Sequence, residues 1–459
     1  MIKITINNTA ILTNLPAKLV KLIRDLFKIN NPLFSQKIEL GLSVWGVPVS
    51  LSYSTVINQN SIEVPVGGLT ETINLLLNNG IKSTDINIVD NRTEFTNLNY
   101  FNNIIFTGTL RDYQNDVLKH MDDKTVGIIE AMTGSGKTIT FIKYILNKKI
   151  NTLILVNRIE LALQTKKSFE KFSTLTEDDI GLIGAGKFEL KPITVGLHQT
   201  LMRLDDNKFN KLNNYFGTVI ADEVHITAAE LYYKNMTSLT MKYKFGFSAT
   251  PERQDGLTKV IFWATGPKIH KVPTNILKHK VLIIPTIKQV FTDYYFPLFD
   301  TADYTYMISD LSTNQKRNKL IATHILKNYS HKDDYVVILC NQLSQVDALL
   351  DLLGHNAEKI TSKTPKKSRK QIIEDLQNKK IKYIISTYQL FATGIDITHL
   401  NVLILAAPKK SKNLLRQAAG RIMRKFPGKT KAVIVDFIDH KVSLLNNQAH
   451  IRQKILTNL

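Results

Sequence analysis

The sequence predicts an α/β protein with two tandem parallel-sheet domains, preceded by a small α+β domain. Between about residues 108 and 440, short apolar runs of strand length alternate with segments of helical spacing, which is typical of parallel sheets. The first 105 residues open with an alternating strand, 2–6, and lack that repeated alternation. At 459 residues the chain exceeds one typical domain, so more than one core is expected.

The N-terminal α+β domain is predicted over residues 1–107. Residues 15–27 and 70–79 have helical spacing, and 44–53 is predicted as a strand with a Gly/Pro turn. This part of the sequence has no clustered His or Cys and no paired carboxylates. We therefore expect a DNA-docking or substrate-positioning role rather than catalysis.

The second predicted domain, residues 108–266, contains the sequence Ala-Met-Thr-Gly-Ser-Gly-Lys-Thr at 131–138, between a predicted strand and a predicted helix. Its glycines permit a tight turn with N–H groups directed at phosphate oxygens, and its lysine can reach the β- and γ-phosphates. A chance Gly-rich turn is the alternative, and Ala131 replaces the first Gly of the usual pattern. The predicted phosphate-binding residues are Thr133, Gly134, Ser135, Gly136, Lys137 and Thr138, with Thr138 also a Mg²⁺ ligand.

Two further patterns in this domain indicate an ATP site. Arg111 and Gln114 open a helix 26 and 23 residues before Lys137, and an amide side chain can both donate to and accept from an adenine edge. An apolar strand ends in Asp222-Glu223-Val224-His225. Asp222 can hold Mg²⁺, Glu223 can deprotonate the attacking water, and His225 can couple the nucleotide to a neighbouring group.

Several strand ends can present polar side chains to a phosphate backbone. The candidates are Arg158, Gln199, Thr200 and, in the loop after Ser248-Ala249-Thr250, Arg253. Ordinary strand–loop–helix packing is the alternative for each of them. For the aromatic residues at 294–299, packing is the favoured interpretation over stacking on bases.

The third predicted domain, residues 267–459, repeats the strand–helix alternation without a phosphate loop. It carries 31 basic and 14 acidic side chains, or +17 of the chain's net +21, which favours a polyanionic partner over a merely solvated basic face. Near its end, Gln417, Gly420, Arg421 and Arg424 have the spacing of one helix face. Two guanidinium groups there can clamp a γ-phosphate as arginine fingers do, whereas the alternative is an ordinary basic helix.

The bulk composition predicts a soluble cytoplasmic protein. Hydrophobic residues make up 43% and charged residues 22% of the chain, and no apolar run approaches the length of a membrane span. The N-terminus lacks the apolar core of a signal peptide, and a single cysteine, Cys340, excludes an intrachain disulfide.

Taken in order, Gln114, 131–138, Asp222–His225, Ser248–Thr250, Thr393-Gly394-x-Asp396 and Gln417–Arg424 resemble the motifs of superfamily 2 helicases of the DExH type. The sequence Ala-Thr-Pro-x-Arg-x-Asp-Gly at 249–256 is similar to the branch that includes the XPB and phage UvsW helicases. The resemblance implies two RecA-like motor domains with ATP between them. It also implies that Gly394 and Asp396 contact nucleotide and that Thr387 and Thr393 contact nucleic acid.

The sequence therefore predicts an ATP- and Mg²⁺-dependent DNA helicase or translocase that unwinds or branch-migrates forked and junction DNA in replication, recombination or repair. Other replication or recombination proteins are expected partners, and a membrane is not. An RNA helicase and an ATP-gated clamp that does not separate strands remain alternatives. A nuclease motor subunit is disfavoured, since the sequence lacks a Pro-Asp…Glu-x-Lys constellation.

Overall fold

The structure is a computed structural model that describes residues 1–132, 134–224, 227–253, 255–273, 282–297, 303–378, 380–394, 397 and 399–458. Contacts between Cα atoms divide the chain into two compact units. The first unit comprises residues 1–131 and 136–272, and the second comprises 132–135 and 273–459.

The first unit begins with a five-stranded sheet, the N-terminal sheet, in the order β5-β6-β2-β1-β7. Strand β1 is parallel to β7, and the other pairs are antiparallel. The elements are β1 (Ile2–Ile6), β2 (Thr9–Thr13), α1 (Ala17–Leu26), β3 (Lys28–Asn30), α2 (Pro32–Glu39), β4 (Ser50–Ser52), β5 (Thr55–Asn58), β6 (Ser61–Pro65), α3 (Leu69–Asn78), β7 (Ile86–Asp90) and α4 (Leu98–Phe101).

The strand predicted over 44–53 is mostly wrong. Within that range the extended ladder is β4, which pairs with β3 as a separate two-stranded sheet. Gly46 has a φ of +72°, and Pro48 has no N–H to donate, so neither residue continues a ladder.

An eight-stranded sheet, the first sheet, follows in the same unit. Its order is β11-β10-β12-β9-β13-β14-β8-β15, and all pairs are parallel except β10 with β11. The elements are α5 (Asp112–Asp122), β8 (Val126–Glu130), α6 (Lys137–Lys148), β9 (Thr152–Val156), α7 (Ile159–Phe172), β10 (Gly181–Gly184), β11 (Lys187–Phe188), β12 (Ile193–Leu197), α8 (His198–Leu201), α9 (Asp206–Asn213), β13 (Thr218–Asp222), α10 (Ala229–Ser238), β14 (Tyr243–Ser248), α11 (Thr258–Thr265) and β15 (Lys268–Lys271).

The N-terminal sheet and the first sheet share one apolar core. A continuous cluster of buried side chains runs from β1 and α1 to β13, α10 and α11. At the junction, a Cβ added to Gly67 would lie 2.3 Å from the carbonyl oxygen of Phe262, so the two backbone segments are too close for a side chain at residue 67. The N-terminal sheet is therefore packed on this part of the unit rather than tethered to it.

The second unit contains a six-stranded, all-parallel sheet, the second sheet, in the order β16-β21-β20-β17-β19-β18. The elements are β16 (Thr286–Phe291), α12 (Asp303–Thr313), α13 (Gln315–Asn328), β17 (Val336–Cys340), α14 (Leu343–Leu353), β18 (Ala357–Ile360), α15 (Lys366–Gln377), β19 (Tyr383–Thr387), α16 (Tyr388–Gly394), β20 (Val402–Leu405), α17 (Lys412–Met423), β21 (Val433–Ile438) and α18 (Ser443–Thr457).

The predicted fold class, with two RecA-like parallel-sheet domains after a small α+β domain, is confirmed. Central strands such as β9 and β17 are apolar at nearly every position and fully buried, as expected where helices cover both faces of a parallel sheet. The predicted boundary at residue 266 falls before β15, which pairs with β8 and so belongs to the first sheet. The predicted domain boundary between residues 107 and 108 stays a prediction.

Candidate nucleotide site and nucleic-acid contacts

The loop between β8 and α6 has the backbone that a phosphate loop requires. Gly134 and Gly136 have φ values of +88° and +80°, in the left-handed region that favours glycine. Gly136 is the N-cap of α6, whose first helical residue is Lys137. The first N–H groups of this 12-residue helix, together with the positive end of its dipole, form an anion-binding arrangement.

Lys137 is held by the acidic pair at the end of β13. Its Nζ forms an ion pair with Glu223 Oε1 and lies 4.0 Å from Asp222 Oδ1. The side chains of Lys137, Asp222 and Glu223 are 8%, 15% and 15% exposed. Two adjacent acidic residues thus meet a phosphate-loop lysine that lies 85 and 86 positions earlier in the chain.

Local backbone geometry places Glu223 there. Its φ of +53° turns the chain sharply after β13, and its N–H donates to Asp222 Oδ1 at 3.0 Å. A non-glycine residue in this region is strained, and such strain is concentrated at functional sites. Burial raises the pKa of Asp222 to about 6, with Lys137 opposing the rise and Glu223 adding to it.

Gln114 lies against this loop, and its predicted contact with an adenine edge stays a prediction. A Cβ on Gly136 would be 2.4 Å from Gln114 Nε2, so a side chain there would displace the end of Gln114, and the φ of +80° independently favours glycine. The side-chain oxygen Oε1 of Gln114 accepts from the Arg111 backbone N–H at 2.8 Å, capping α5. Arg111 in turn donates through Nη1 to the Tyr113 hydroxyl at 3.1 Å.

Two small hydroxyl residues close the edge next to the acidic pair. Ser248 ends β14 beside β13, and its hydroxyl accepts from the Thr250 N–H at 3.1 Å. Both side chains are buried, at 0% and 2% exposed. Ser248 also accepts from the Ala131 N–H through its carbonyl, which ties the start of the phosphate loop to β14.

Sequence reasoning missed Glu130, the last residue of β8 and the neighbour of the phosphate loop. It is 7% exposed and pairs with Lys268 at 2.8 Å and Lys271 at 2.9 Å, both on β15. Burial acts to raise the pKa of Glu130, but the bonds from the two lysines hold it below its usual value. A charged residue ending an apolar strand was the available signal for this anchor.

The predicted nucleic-acid residues of the first unit lie at strand ends. Arg158 is half-buried at the start of α7, Thr200 is half-buried in α8, and Gln199 is exposed. Arg253 is engaged within the protein, since it pairs with Asp255 at 2.5 Å and donates to the Thr227 carbonyl at 2.7 Å. Thr227 donates to Asn157 Oδ1, so the loops after β9, β13 and β14 are linked by one polar network.

In the second unit, the prediction that Gln417, Gly420, Arg421 and Arg424 lie on one helix face is partly wrong. Helix α17 contains Gln417 and Arg421, but it ends at Met423. Arg424 is the C-cap with ψ of 131°, and its backbone bridges to Leu282 in an antiparallel pair. Arg424 therefore leaves the helix and does not continue the face that carries Arg421.

Gln417 is 5% exposed, and the Arg421 guanidinium lies 5.6 Å from the ring centroid of Phe391 in α16, a cation–π contact. Thr387 is half-buried at the end of β19. Three further predicted site residues, Thr133, His225 and Asp396, lie outside the described residues. Thr393 and Gly394 are described only as part of the backbone of α16.

Packing is confirmed for part of the aromatic segment at 294–299. Tyr294 is buried in a cluster with Met307, Leu311 and Leu445, and its hydroxyl donates to Asp310 at 2.8 Å. Tyr295, in contrast, is 66% exposed.

The residues present fit ATP and a magnesium ion. A glycine loop at a helix N-terminus, a lysine and a threonine hydroxyl, Thr138, supply phosphate and metal contacts, and Asp222 supplies one carboxylate. Among the described ranges, no cluster of three or more His, Cys, Asp or Glu side chains could hold a metal by itself. Mg²⁺ is usually bound through one or two carboxylates plus substrate phosphates, and Asp222 offers one such carboxylate.

Two family models match this chain. The model of the type III restriction enzyme res subunit matches residues 107–253, and the model of the helicase conserved C-terminal domain matches residues 281–426. The chain belongs to the superfamily 2 helicases. The predicted resemblance to this superfamily and its XPB branch is confirmed.

Similar proteins include a putative ATP-dependent RNA helicase of Acanthamoeba polyphaga mimivirus, 28% identical over 73% of this chain and 65% of the relative. The DNA 3'-5' translocase XPB2 of Sulfurisphaera tokodaii is 27% identical over 69% of this chain and 79% of the relative. A solved fragment of a putative type I restriction enzyme HsdR subunit from Vibrio vulnificus aligns over 83% of this chain and 70% of its own. It shares the fold, with a TM-score of 0.56 and 17% identity.

The chain thus spans about two thirds of the mimivirus relative's length and 79% of the archaeal one. Within the described residues, no helix has both the length and the apolar character needed to cross a bilayer.

Proposed function

We propose that this protein is an ATP- and Mg²⁺-dependent DNA helicase or translocase that acts on forked and junction DNA. The observation that carries the proposal is the meeting of Lys137 with Asp222 and Glu223 beside a glycine loop at a helix N-terminus. Within the superfamily 2 helicases, this set of residues fits nucleotide hydrolysis coupled to movement on nucleic acid.

ATP, when bound, supplies the phosphoryl group whose transfer to water drives the cycle. Lys137 Nζ binds phosphate charge in place of the Glu223 carboxylate that it pairs with in this structure. Glu223, released from that ion pair, accepts the proton of the attacking water at its carboxylate. Asp222 and the Thr138 hydroxyl would hold the metal. Burial raises the pKa of Asp222, so a bound cation would stabilise its charged form.

DNA is the proposed polymer because relatives of the XPB group are named as DNA translocases or helicases. The net +17 of residues 267–459 supports a polyanionic substrate of either kind. RNA is the second candidate, since the mimivirus relative is named a putative RNA helicase.

We further propose that Arg421 and Arg424 complete the catalytic site and that Gln114 and Gln417 sense the nucleotide. The proposed domain limits are 1–107, 108–266 and 267–459, with the second limit extended to include β15. The proposed DNA contacts are Arg158, Gln199, Thr200, Thr387 and Thr393, with Arg253 acting through the loop that it fixes.

The test compares ATP turnover and strand separation on single-stranded, duplex, forked and four-way DNA and on the matched RNAs. Wild-type protein should hydrolyse ATP faster with DNA and separate forked DNA. Lys137→Ala should abolish both activities, because the loop loses its phosphate-directed charge, while binding DNA normally. Lys119→Ala, which removes an exposed lysine from α5, is the matched control.

Turnover at the wild-type rate in Lys137→Ala would refute the nucleotide site. Stimulation of ATP turnover by RNA but not by DNA would instead favour an RNA helicase. ATP turnover and translocation without strand separation would mark the protein as an ATP-gated clamp or a translocase that does not unwind.

A further inference from the structure

The separate two-stranded sheet of the first unit belongs to a segment, here called the N-terminal hairpin, which comprises β3, α2, the loop 40–49 and β4. Its loop contains Trp45, which is 93% exposed. Five more large apolar side chains of this segment are at least half exposed: Leu33, Ile38, Leu40, Leu42 and Val49. Such a concentration of exposed apolar groups marks an interaction surface rather than ordinary scatter.

The loop that holds Trp45 is fixed by hydrogen bonds. Asn31, which is 6% exposed, accepts from the Leu33 N–H at 3.0 Å and so caps α2. Its side-chain nitrogen donates to the Pro48 carbonyl at 2.8 Å, and its backbone N–H donates to Val49 at 3.0 Å. These bonds close the loop at its base, so the indole is displayed from a built turn.

The base of the hairpin is anchored on the part of the unit that carries the nucleotide site. Phe27 and Tyr53, which flank β3 and β4, pack on Trp263 of α11 with ring centroids 5.1 and 5.6 Å away. Tyr53 also contacts the ring of Tyr233 in α10 at 4.8 Å, and the Tyr233 hydroxyl donates to the Tyr53 carbonyl. The hairpin therefore moves with the first sheet.

The start of α2 lies beside a strand-end loop of that sheet. A Cβ on Gly256 would be 4.0 Å from Pro32, the first residue of α2. Gly256 belongs to the loop after β14 that Arg253 and Asp255 fix. Because the carboxyl ends of parallel strands meet at one edge, the hairpin stands next to the edge that carries the proposed nucleic-acid contacts.

The charge around the hairpin fits an anion. The hairpin and the preceding helix α1 together, residues 17–52, carry five basic and two acidic side chains. Lys18, Lys21 and Lys28 are exposed, and Lys28 is on β3 itself. A positive flank beside an exposed aromatic is the combination that single-stranded nucleic acid recognises, with lysines on the backbone and the ring on a base.

We propose that Trp45 stacks on an unpaired base of the bound nucleic acid, beside the strand-end loops of the first sheet, with the aliphatic side chains of the hairpin covering that base. A protein partner would use the apolar groups equally well. The five-to-two excess of basic residues and the position next to the loop at Gly256 favour nucleic acid. The inference rests on the proposed function and adds a contact that separates paired from unpaired strands.

The chain contains two tryptophans, and the second, Trp263, is 1% exposed. Quenching of tryptophan fluorescence by acrylamide therefore reports mainly on Trp45 in the full-length protein. Saturating forked DNA should lower the quenching constant at least about twofold. Trp45→Phe, which leaves the buried Trp263, should show weak quenching with and without DNA.

Trp45→Ala should weaken binding of forked and single-stranded DNA about tenfold, equivalent to ~1.4 kcal/mol, which is in the range for one stacked base. Binding of blunt duplex should change less than about twofold, and Trp45→Phe should recover most of the loss. Tyr306→Ala, which removes a 76% exposed aromatic from the second unit, is the matched control.

The inference is wrong if saturating DNA leaves Trp45 as accessible as before and Trp45→Ala binds forks like wild type. It is also wrong if Trp45→Ala instead abolishes self-association or capture of a protein partner while DNA binding is unchanged. Loss of ATP turnover or of all nucleic-acid binding in the wild-type protein would refute the proposed function instead, so the two failures are distinguishable.

Discussion

Both of these sheets place two carboxylates in or just after the C-terminal half of a buried strand, but the carboxylates have different partners. In the first sheet, Asp222 ends β13, Glu223 follows it, and the two share one lysine, Lys137. In the second, Asp436 lies within β21 and Asp439 directly follows it. Each of these has its own arginine. Arg452 Nε donates to both oxygens of Asp436 at 2.9 and 3.1 Å, and Arg317 donates to both oxygens of Asp439 at 2.7 and 3.0 Å.

The two sheets differ in the burial of these carboxylates and in the geometry of their ion pairs. The two pairs of the second sheet have side chains at most 2% exposed and two-point geometry. Burial raises the pKa of Asp436, and Arg452 opposes that rise. The acids of the first sheet are 15% exposed, and their lysine starts a helix behind a glycine loop. The two carboxylate pairs therefore differ in their partners and burial rather than in their place in the fold, and only the first pair is proposed as catalytic.

The largest expected effect sharpens this comparison. If the second unit supplies catalysis through α17 rather than through its strand-end acids, Arg421→Ala should slow single-turnover hydrolysis by roughly 10³–10⁵. The same loss is expected for Arg424→Ala. Arg421→Lys should not rescue, because an ammonium does not reproduce the planar fork. The measurement is a quench-flow assay with DNA saturating.

Lys412→Ala, an exposed lysine at the start of the same helix, is the matched control and should hydrolyse ATP normally. Rates within about threefold of wild type for both arginine variants would remove α17 from the catalytic site, since that factor is well under 1 kcal/mol of barrier.

The next largest effect concerns the structural pair. Arg317→Ala leaves Asp439 buried beside the hydroxyl of Thr292, its remaining partner at 2.5 Å. Removing one member of a buried ion pair costs about 3–5 kcal/mol, so the free energy of unfolding should fall by that amount in a urea titration. Lys316→Ala changes the exposed neighbour on α13 and should unfold like wild type.

Lys137→Ala should lower the unfolding free energy far less than Arg317→Ala does. Equal destabilisation by the two variants would break the comparison, because it would make the first acid pair structural as well.

The smallest expected effect is an increase, rather than a decrease, in the free energy of unfolding. Asp222 has a pKa of about 6 in the folded protein against an ordinary value of 3.8. The folded state therefore binds more protons between those pH values, and the protein loses stability as the pH rises through that window. Above about pH 6 the cost is fully present, so Asp222→Asn should raise the unfolding free energy at pH 7 by about 1–2 kcal/mol while abolishing turnover.

The same titrations at pH 5, 6 and 7 give the control, since the gain should shrink as the pH falls. An Asp222→Asn protein that is less stable than wild type at pH 7 would show that the carboxylate stabilises the fold.

Much of the fold followed from local patterns. β8, β9, β13, β17, β19 and β20 each come from a short, largely apolar run of strand length. The phosphate loop and the Asp-Glu pair also follow from sequence, because their chemistry depends on residues adjacent in the chain. Their meeting at one edge follows from the parallel topology, which the alternation of strands and helices predicts.

What the sequence did not predict depends on distant contacts or on backbone geometry. Arg424 leaves α17 because residue 424 pairs with Leu282, more than 140 positions away, although Pro427 gave a local sign of a helix end. Trp45 lies in the range predicted as a strand with a Gly/Pro turn, whereas the structure begins the strand only at Ser50 and has a turn at Gly46. The Glu130 anchor depends on β15, which the sequence reading did not identify.

The most direct test of the central claim is single-turnover hydrolysis and nucleotide binding measured together for Glu223→Gln. If Glu223 accepts the proton of the attacking water, this variant should bind ATP as wild type does and hydrolyse it at least about a hundredfold more slowly. Glu160→Gln, a half-buried glutamate in the first turn of α7, is the control and should hydrolyse normally. Hydrolysis at the wild-type rate, or loss of ATP binding itself, would contradict the assignment of the β13 acid pair.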